Sequence, residues 1–168
     1  MAGGNSPRVL SPRMCKWMLN WFPPLLFQRI RVEEISEDFR YCRVRVKKSW
    51  LTRNLHGATF GGTIFTGADP AYAVMFWQIF ARRGEQVQAW LKSANIDYRR
   101  PAWTSLVYEY RISEEDVEGM AAELEEHGKT VREHVLEAVD ESGVVCATVT
   151  TETYLRRVRE GQKEASGY

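Results

Sequence analysis

From Leu10 onward the apolar residues Leu10, Met14, Trp17, Met18 and Trp21 recur every three or four positions, the spacing of one helix face, and Pro23 stops that helix. A face so poor in charge is expected to pack on its own domain rather than lie on a membrane. Residues 25–35 and 39–48 then read as two strands joined by a turn at Glu37-Asp38. In the second, Cys42, Val44 and Val46 alternate with Tyr41, Arg43, Arg45 and Lys47, giving one apolar and one cationic face. The pattern changes after Trp50. Residues 54–62 form a glycine-rich loop, and Thr63 to about Phe80 form a helix with almost no polar side, closed by Arg82-Arg83-Gly84. A helix apolar all round must be enclosed.

Four further strands are predicted over roughly 86–98, 104–112, 130–139 and 143–156. Leu106, Tyr108, Tyr110 and Ile112 alternate with Val107, Glu109 and Arg111, and Asp140 to Gly143 supplies the last turn. Between the fourth and fifth strands, Ser113 and Asp116 have capping-box spacing ahead of a one-faced helix with Val117, Met120, Ala121 and Leu124, ending at Gly128. One enclosed helix among alternating strands predicts an α+β fold, an antiparallel sheet curled around that helix. Residues 10–159 are expected to form a single domain, with residues 1–9 disordered and 160–168 a frayed tail.

Composition narrows the function classes. The 168 residues are 44% hydrophobic and 27% charged, enough for one buried core. With 23 basic against 22 acidic residues, bulk charge gives no case for nucleic acid. Cys15, Cys42 and Cys146 lack metal-ligand spacing and imply no disulfide framework. No metal site is expected. The N-terminal basic and aromatic residues are broken by Pro23-Pro24 and lack a small-residue cleavage site, and no apolar run is long enough to span a bilayer. A soluble cytoplasmic protein is the expectation.

The loop and the helix after it carry a resemblance. Asn54, Gly57, Phe60, Gly61 and Gly62, with Asp69 seven residues beyond the last glycine, resemble the N-x-x-G-x-x-H-G-G loop and helix aspartate of the hotdog thioesterase superfamily, phenylacetyl-CoA type. Ile96-Asp97-Tyr98-Arg99-Arg100-Pro101 is similar to that family's I-D-F-x-R-P segment. The match covers about residues 25–156 and looks closest to an uncharacterised branch with F-G-G, Asp-Pro and a Trp-x-Lys, here Trp90 and Lys92.

What the resemblance implies is hydrolysis of acyl-CoA or a related acyl thioester, with coenzyme A entering as part of the substrate and no separate cofactor. Asp69 would be general base or nucleophile, and the Gly61 and Gly62 N–H groups at a helix N-terminus would hold the oxyanion. Glycines in a tight loop needing positive φ are the plain alternative. Asp69 followed by Pro70 also suits a helix N-cap, although the apolar run begins earlier, at Ile64, which favours a helix already under way and bent at Pro70.

Phe60 departs from the family, because phenylalanine cannot donate to a carbonyl as the usual histidine does. His56 is a substitute or a surface residue, and Asn54 orients the loop or meets the thioester. Phe65, with Tyr72 and Phe76, would shape the acyl slot. Arg99 and Arg100 are candidates for the coenzyme phosphates, and Asp97 for a second polar group. A homodimer or dimer of dimers is implied, in which Asp69 of one subunit faces loop residues of another. The runner-up is a catalytically weak hotdog protein that binds acyl-CoA or another hydrophobic ligand; a hydratase lacks its motif.

Overall fold

Eleven elements account for residues 7–158, which the computed structural model describes. Residues 1–6 of the segment expected to be disordered, the last residue of the expected domain, 159, and the whole expected tail, 160–168, lie outside the described residues. The order is α1 (Pro12–Trp21), α2 (Pro23–Phe27), β1 (Ile30–Ile35), β2 (Tyr41–Val46), α3 (Gly61–Gly67), α4 (Pro70–Arg82), β3 (Val87–Tyr98), β4 (Leu106–Arg111), α5 (Glu114–His127), β5 (Lys129–Asp140) and β6 (Val145–Arg157). The six strands make one antiparallel sheet in the order β1-β2-β4-β5-β6-β3. The α+β arrangement expected from the pattern, and the hotdog fold implied by the resemblance, are present, with α4 as the enclosed helix: Ala71, Tyr72, Met75, Phe76, Ile79 and Phe80 are all buried. Burying such side chains stabilises by roughly 1.5–3 kcal/mol each, so this helix anchors the core.

The long apolar helix is interrupted. α3 stops at Gly67, Ala68 and Asp69 turn, and α4 restarts with Pro70, whose missing N–H and ring cannot continue the ladder. Two buried tyrosines of β4 meet the carbonyls that this break exposes: Tyr108 Oη donates to Ile64 O at 2.7 Å and Tyr110 Oη to Gly67 O at 2.5 Å. Gly67 itself lies so close to the sheet that a Cβ there would sit 2.7 Å from Val46 and 2.8 Å from Tyr108, both fully packed. Gly67→Ala is therefore expected to cost about 1–3 kcal/mol in chemical denaturation, the usual penalty of overpacking. An unchanged midpoint would show that α3 can lift off the sheet freely.

Two sequence expectations are corrected. Residues 25–27 belong to α2, not to a strand: Pro23 and Pro24 occupy the first helical positions, where proline's fixed φ suits a helix start, and β1 begins only at Ile30. The apolar stripe of α1 faces solvent, because the helix packs through its other side. Pro12 and Cys15 are buried, Lys16 Nζ donates to Glu33 O, and the Asn20 amide pairs with both the N–H and the C=O of Val32, at 2.8 and 3.0 Å. α1 thereby closes the free backbone edge of β1. Gln78, fully buried in α4, ties the preceding segment down by accepting from Leu10 N and donating to Arg8 O.

Elsewhere the pattern holds. The Ser113–Asp116 capping box is formed and Gly128 closes α5 with φ 71°. The cationic face of β2 is neutralised by Glu33 and Glu109, which pair with Arg43 and Arg45 across neighbouring strands. β3 is the opposite edge of the sheet, twelve residues long and paired on one side only.

Candidate functional site

Gly61 and Gly62 form the first turn of α3, and Phe60 is its N-cap residue. The Phe60 carbonyl takes the amides of Thr63 and Ile64, while among the described residues the Gly61 and Gly62 N–H groups find no acceptor. Neither glycine has a positive φ, in contrast to Gly57 at 84°, so a strained loop does not explain the pair. Space explains it better. A Cβ on Gly61 would sit 3.1 Å from Tyr98 Oη, and one on Gly62 would strike the Phe60 ring at 2.5 Å. The result is an anion-favouring turn with two free donors, screened by an exposed phenyl ring.

Tyr98, at the end of β3, donates to Gly61 O at 2.8 Å. Asp97, the residue before Tyr98 in β3, and Arg99 and Arg100 just after the strand are exposed, with Asp97 and Arg99 3.6 Å apart. Asn54 stabilises the loop, its side-chain oxygen accepting from His56 N at 3.0 Å, and the His56 ring is exposed. Phe65 is half-buried in α3.

Asp69 occupies the break between α3 and α4. Asp69 does stand at the N-cap position of α4 with Pro70 as the first helical residue, as the plain alternative had it, but its backbone is helical and its side chain makes no capping bond. The carboxyl borders a narrow crevice, too tight to admit a water molecule, lined by Ala68, Tyr72, Ala73, Leu91, Thr151 and Thr153. Crowding by these atoms pushes its pKa above the ordinary aspartate value. The residue stays open to solvent in the single chain, which limits that rise.

The sequence-identified residues thus fall into two groups along β3. Asp69 lies beside Leu91, and Gly61, Phe60, Asp97, Arg99 and Arg100 gather at the Tyr98 end. At 1.5 Å per helical residue, Gly62 and Asp69 stand about 10 Å apart along α3. The donors and the carboxyl thus stand at opposite ends of α3.

His134 was not foreseen. It stacks on Tyr72 with ring centroids 4.1 Å apart, lies 3.8 Å from Asp116, and neither ring nitrogen has a hydrogen-bond partner among the described residues. Burial lowers its pKa, against the pull of Asp116. The available signal was phase: in β5, Thr130, Arg132 and His134 share the inward alternation with Leu136 and Ala138. Trp90 and Lys92 belong to the outer sheet face, where Trp90 stacks on Tyr154 and Lys92 pairs with Glu152 at 3.1 Å.

Residues 12–155 match the family described as a domain of unknown function (DUF4442). Among solved structures, a Pseudomonas aeruginosa protein of unknown function, described as a "Probable Thioesterase", superposes with TM-score 0.80 at 22% identity, covering 90% of this chain and 99% of that one. A thioesterase from Haemophilus influenzae gives TM-score 0.68 at 9% identity, over 94% and 99% of the two chains. The E. coli PaaI protein from the phenylacetic acid degradation operon gives 0.59 at 17% identity, over 89% and 97%. No curated protein matches significantly. At these identities the likeness is one of fold.

Proposed function

Because the chain belongs to the DUF4442 family and has the hotdog fold, we propose that it is a thioesterase that hydrolyses acyl-CoA or a related acyl thioester to free acid and thiol. The observation that carries this reading is Asp69: an uncapped carboxyl at a helix break, with raised pKa, facing a cleft at the open edge of the sheet. As general base it takes a proton from water while the water oxygen bonds to the thioester carbon. The oxyanion so formed is held by the Gly61 and Gly62 N–H groups, then collapses and breaks the C–S bond, and the thiolate leaves to be protonated. As nucleophile, Asp69 would bond to the same carbon and expel the thiolate, and water would then cleave the resulting anhydride to the free acid and the Asp69 carboxylate.

Two features support a site shared by two subunits. The cleft beside Asp69 has no room even for a water molecule, whereas ordinary ligand sites hold roughly 300–1,000 Å³, and the donors lie at the other end of α3 from Asp69. β3 offers the remedy, since a long unpaired edge is a template for a second strand. Antiparallel pairing of two copies about a dyad near Ala94 and Asn95 sets the Leu91 end of one β3 beside the Tyr98 end of the other. Each Asp69 then meets a glycine turn from the other subunit. In that arrangement Phe65 would border the acyl slot, Asn54 and His56 the loop rim, and Arg99, Arg100 and Asp97 the coenzyme end, where guanidinium groups match phosphate.

Free-thiol release from short-, medium-, long-chain and aryl acyl-CoAs tests the proposal. Turnover of at least one class is expected. Phe60, which has no donor to offer the carbonyl, favours a second reading, a protein that binds acyl-CoA with little turnover. Absence of thiol release, with acyl-CoA still raising the unfolding temperature, would establish that reading instead.

A further inference from the structure

We propose that the outer face of α1 and α2 docks on an anionic lipid bilayer, lying along the surface rather than crossing it. No helix among the described residues is long and apolar enough to cross a membrane. At about 100° per residue, Met14, Trp17, Met18 and Trp21 share an arc of about 100°, opposite Cys15 and Leu19, which face the domain. α2 extends this ridge with Phe22, Leu26 and Phe27. Trp17, Trp21 and Phe27 are 60%, 63% and 72% exposed, with nothing among the described residues covering them.

Charge chooses the occupant. Through residue 32 the chain carries Arg8, Arg13, Lys16, Arg29 and Arg31 and not one carboxylate, although residues 33–168 hold 18 basic and 22 acidic residues. Arg8, Arg13, Arg29 and Arg31 are exposed. A second copy docked here would oppose arginine to arginine with no carboxylate in the patch to pair, so self-association is disfavoured. An anionic headgroup layer supplies the missing charge, and indole rings suit the boundary between headgroups and acyl chains. The patch flanks β1, at the far end of the strand order from β3, so pairing of subunits through β3 leaves it free. This inference does not depend on the proposed catalysis.

The test is co-sedimentation of the full chain with vesicles of phosphatidylcholine alone and of phosphatidylcholine mixed with phosphatidylglycerol, at low and high salt. Wild type is expected to pellet with the anionic vesicles, less at high salt, and little with the neutral ones. Trp17→Ser with Trp21→Ser should weaken the anionic binding by at least about tenfold, and Arg8→Gln with Arg13→Gln should flatten its salt dependence. Trp50→Ser, an exposed tryptophan outside the patch, should bind as wild type does. Unchanged unfolding temperatures would certify that the variants fold. Wild type that remains in solution with anionic vesicles overturns the proposal, as does a double tryptophan variant that pellets equally well. Self-association lost with Trp17 and Trp21, without vesicle binding, would assign the face to a second copy.

Discussion

Asp69→Asn is expected to reduce thiol release by about 10²–10⁴-fold, the range for loss of a positioned general base, with folding and oligomer size retained. The substitution keeps the shape of a side chain that makes no capping bond, so no local contact is lost with the charge. The pH dependence has a definite sign. The folded protein holds the Asp69 proton more tightly than the unfolded chain does, since crowding raises its folded pKa. Its ionised form therefore opposes folding: that penalty is present above the raised pKa and relieved as the pH falls through it. Activity needs the ionised form and falls over the same interval. Asp69→Asn should consequently lose the acid limb of the rate profile and unfold at the same temperature as wild type or slightly higher. A variant with wild-type rates would remove Asp69 from the chemistry, and one that unfolds much earlier would make it structural.

The proposed sharing of the site between two subunits adds a second readout to the same variant. Gly62→Val would block the donor turn, and alone it too should be inactive. Co-expressed Asp69→Asn and Gly62→Val subunits would form heterodimers in which one site keeps both a wild-type carboxylate and a wild-type turn. Random pairing restores up to about a quarter of wild-type activity. A site contained in one chain restores nothing, so the mixture separates the two architectures even where each single variant is silent.

How far the sequence could carry these arguments depended on the length scale of each interaction. Strand alternation and the capping box are local, and both were legible: Leu106, Tyr108 and Tyr110 do point inward, and Ser113 does cap α5. The Asp69 break was readable from Pro70, because proline's effect on its own helix needs no tertiary context. The direction of the α1 stripe was not. Periodicity showed that Met14, Trp17, Met18 and Trp21 share a face, but which side packs was decided by Asn20 and Lys16 reaching the backbone of β1. α2 was misread because apolar residues 25–27 carry no period long enough to separate helix from strand. The separation of Gly62 from Asp69 was implicit in seven helical residues, whereas the glycine turn's position against Tyr98 depends on a contact 37 residues distant. His134 lay hidden for the same reason, since its stacking partner is on another element.

Removing the two tyrosine hydroxyls that hold the helix break is expected to have the largest effect on stability. Where α3 ends, the Ala68 amide turns back to Phe65 O, and Pro70 has no N–H to give, so the carbonyls of Ile64 and Gly67 depend on Tyr108 and Tyr110. Both phenols are buried, and burial raises both pKa values, which keeps them protonated donors at any physiological pH. Tyr108→Phe and Tyr110→Phe retain the rings and their packing, leaving each carbonyl unsatisfied in an apolar setting, at about 1–3 kcal/mol apiece. Because both bonds fix the same short helix, the pair should couple, and the double variant should deviate from the sum of the single ones. At roughly 2–4 °C per kcal/mol for a domain of this size, the double variant is expected to unfold several degrees below wild type. Its catalytic consequence follows from place: α3 carries the glycine turn at one end and leads into Asp69 at the other. Loosening it should lower turnover at temperatures where the protein remains folded. Double-variant stability equal to wild type would mean that water satisfies the freed carbonyls, and that the break at Asp69 is held by Gly67 packing alone.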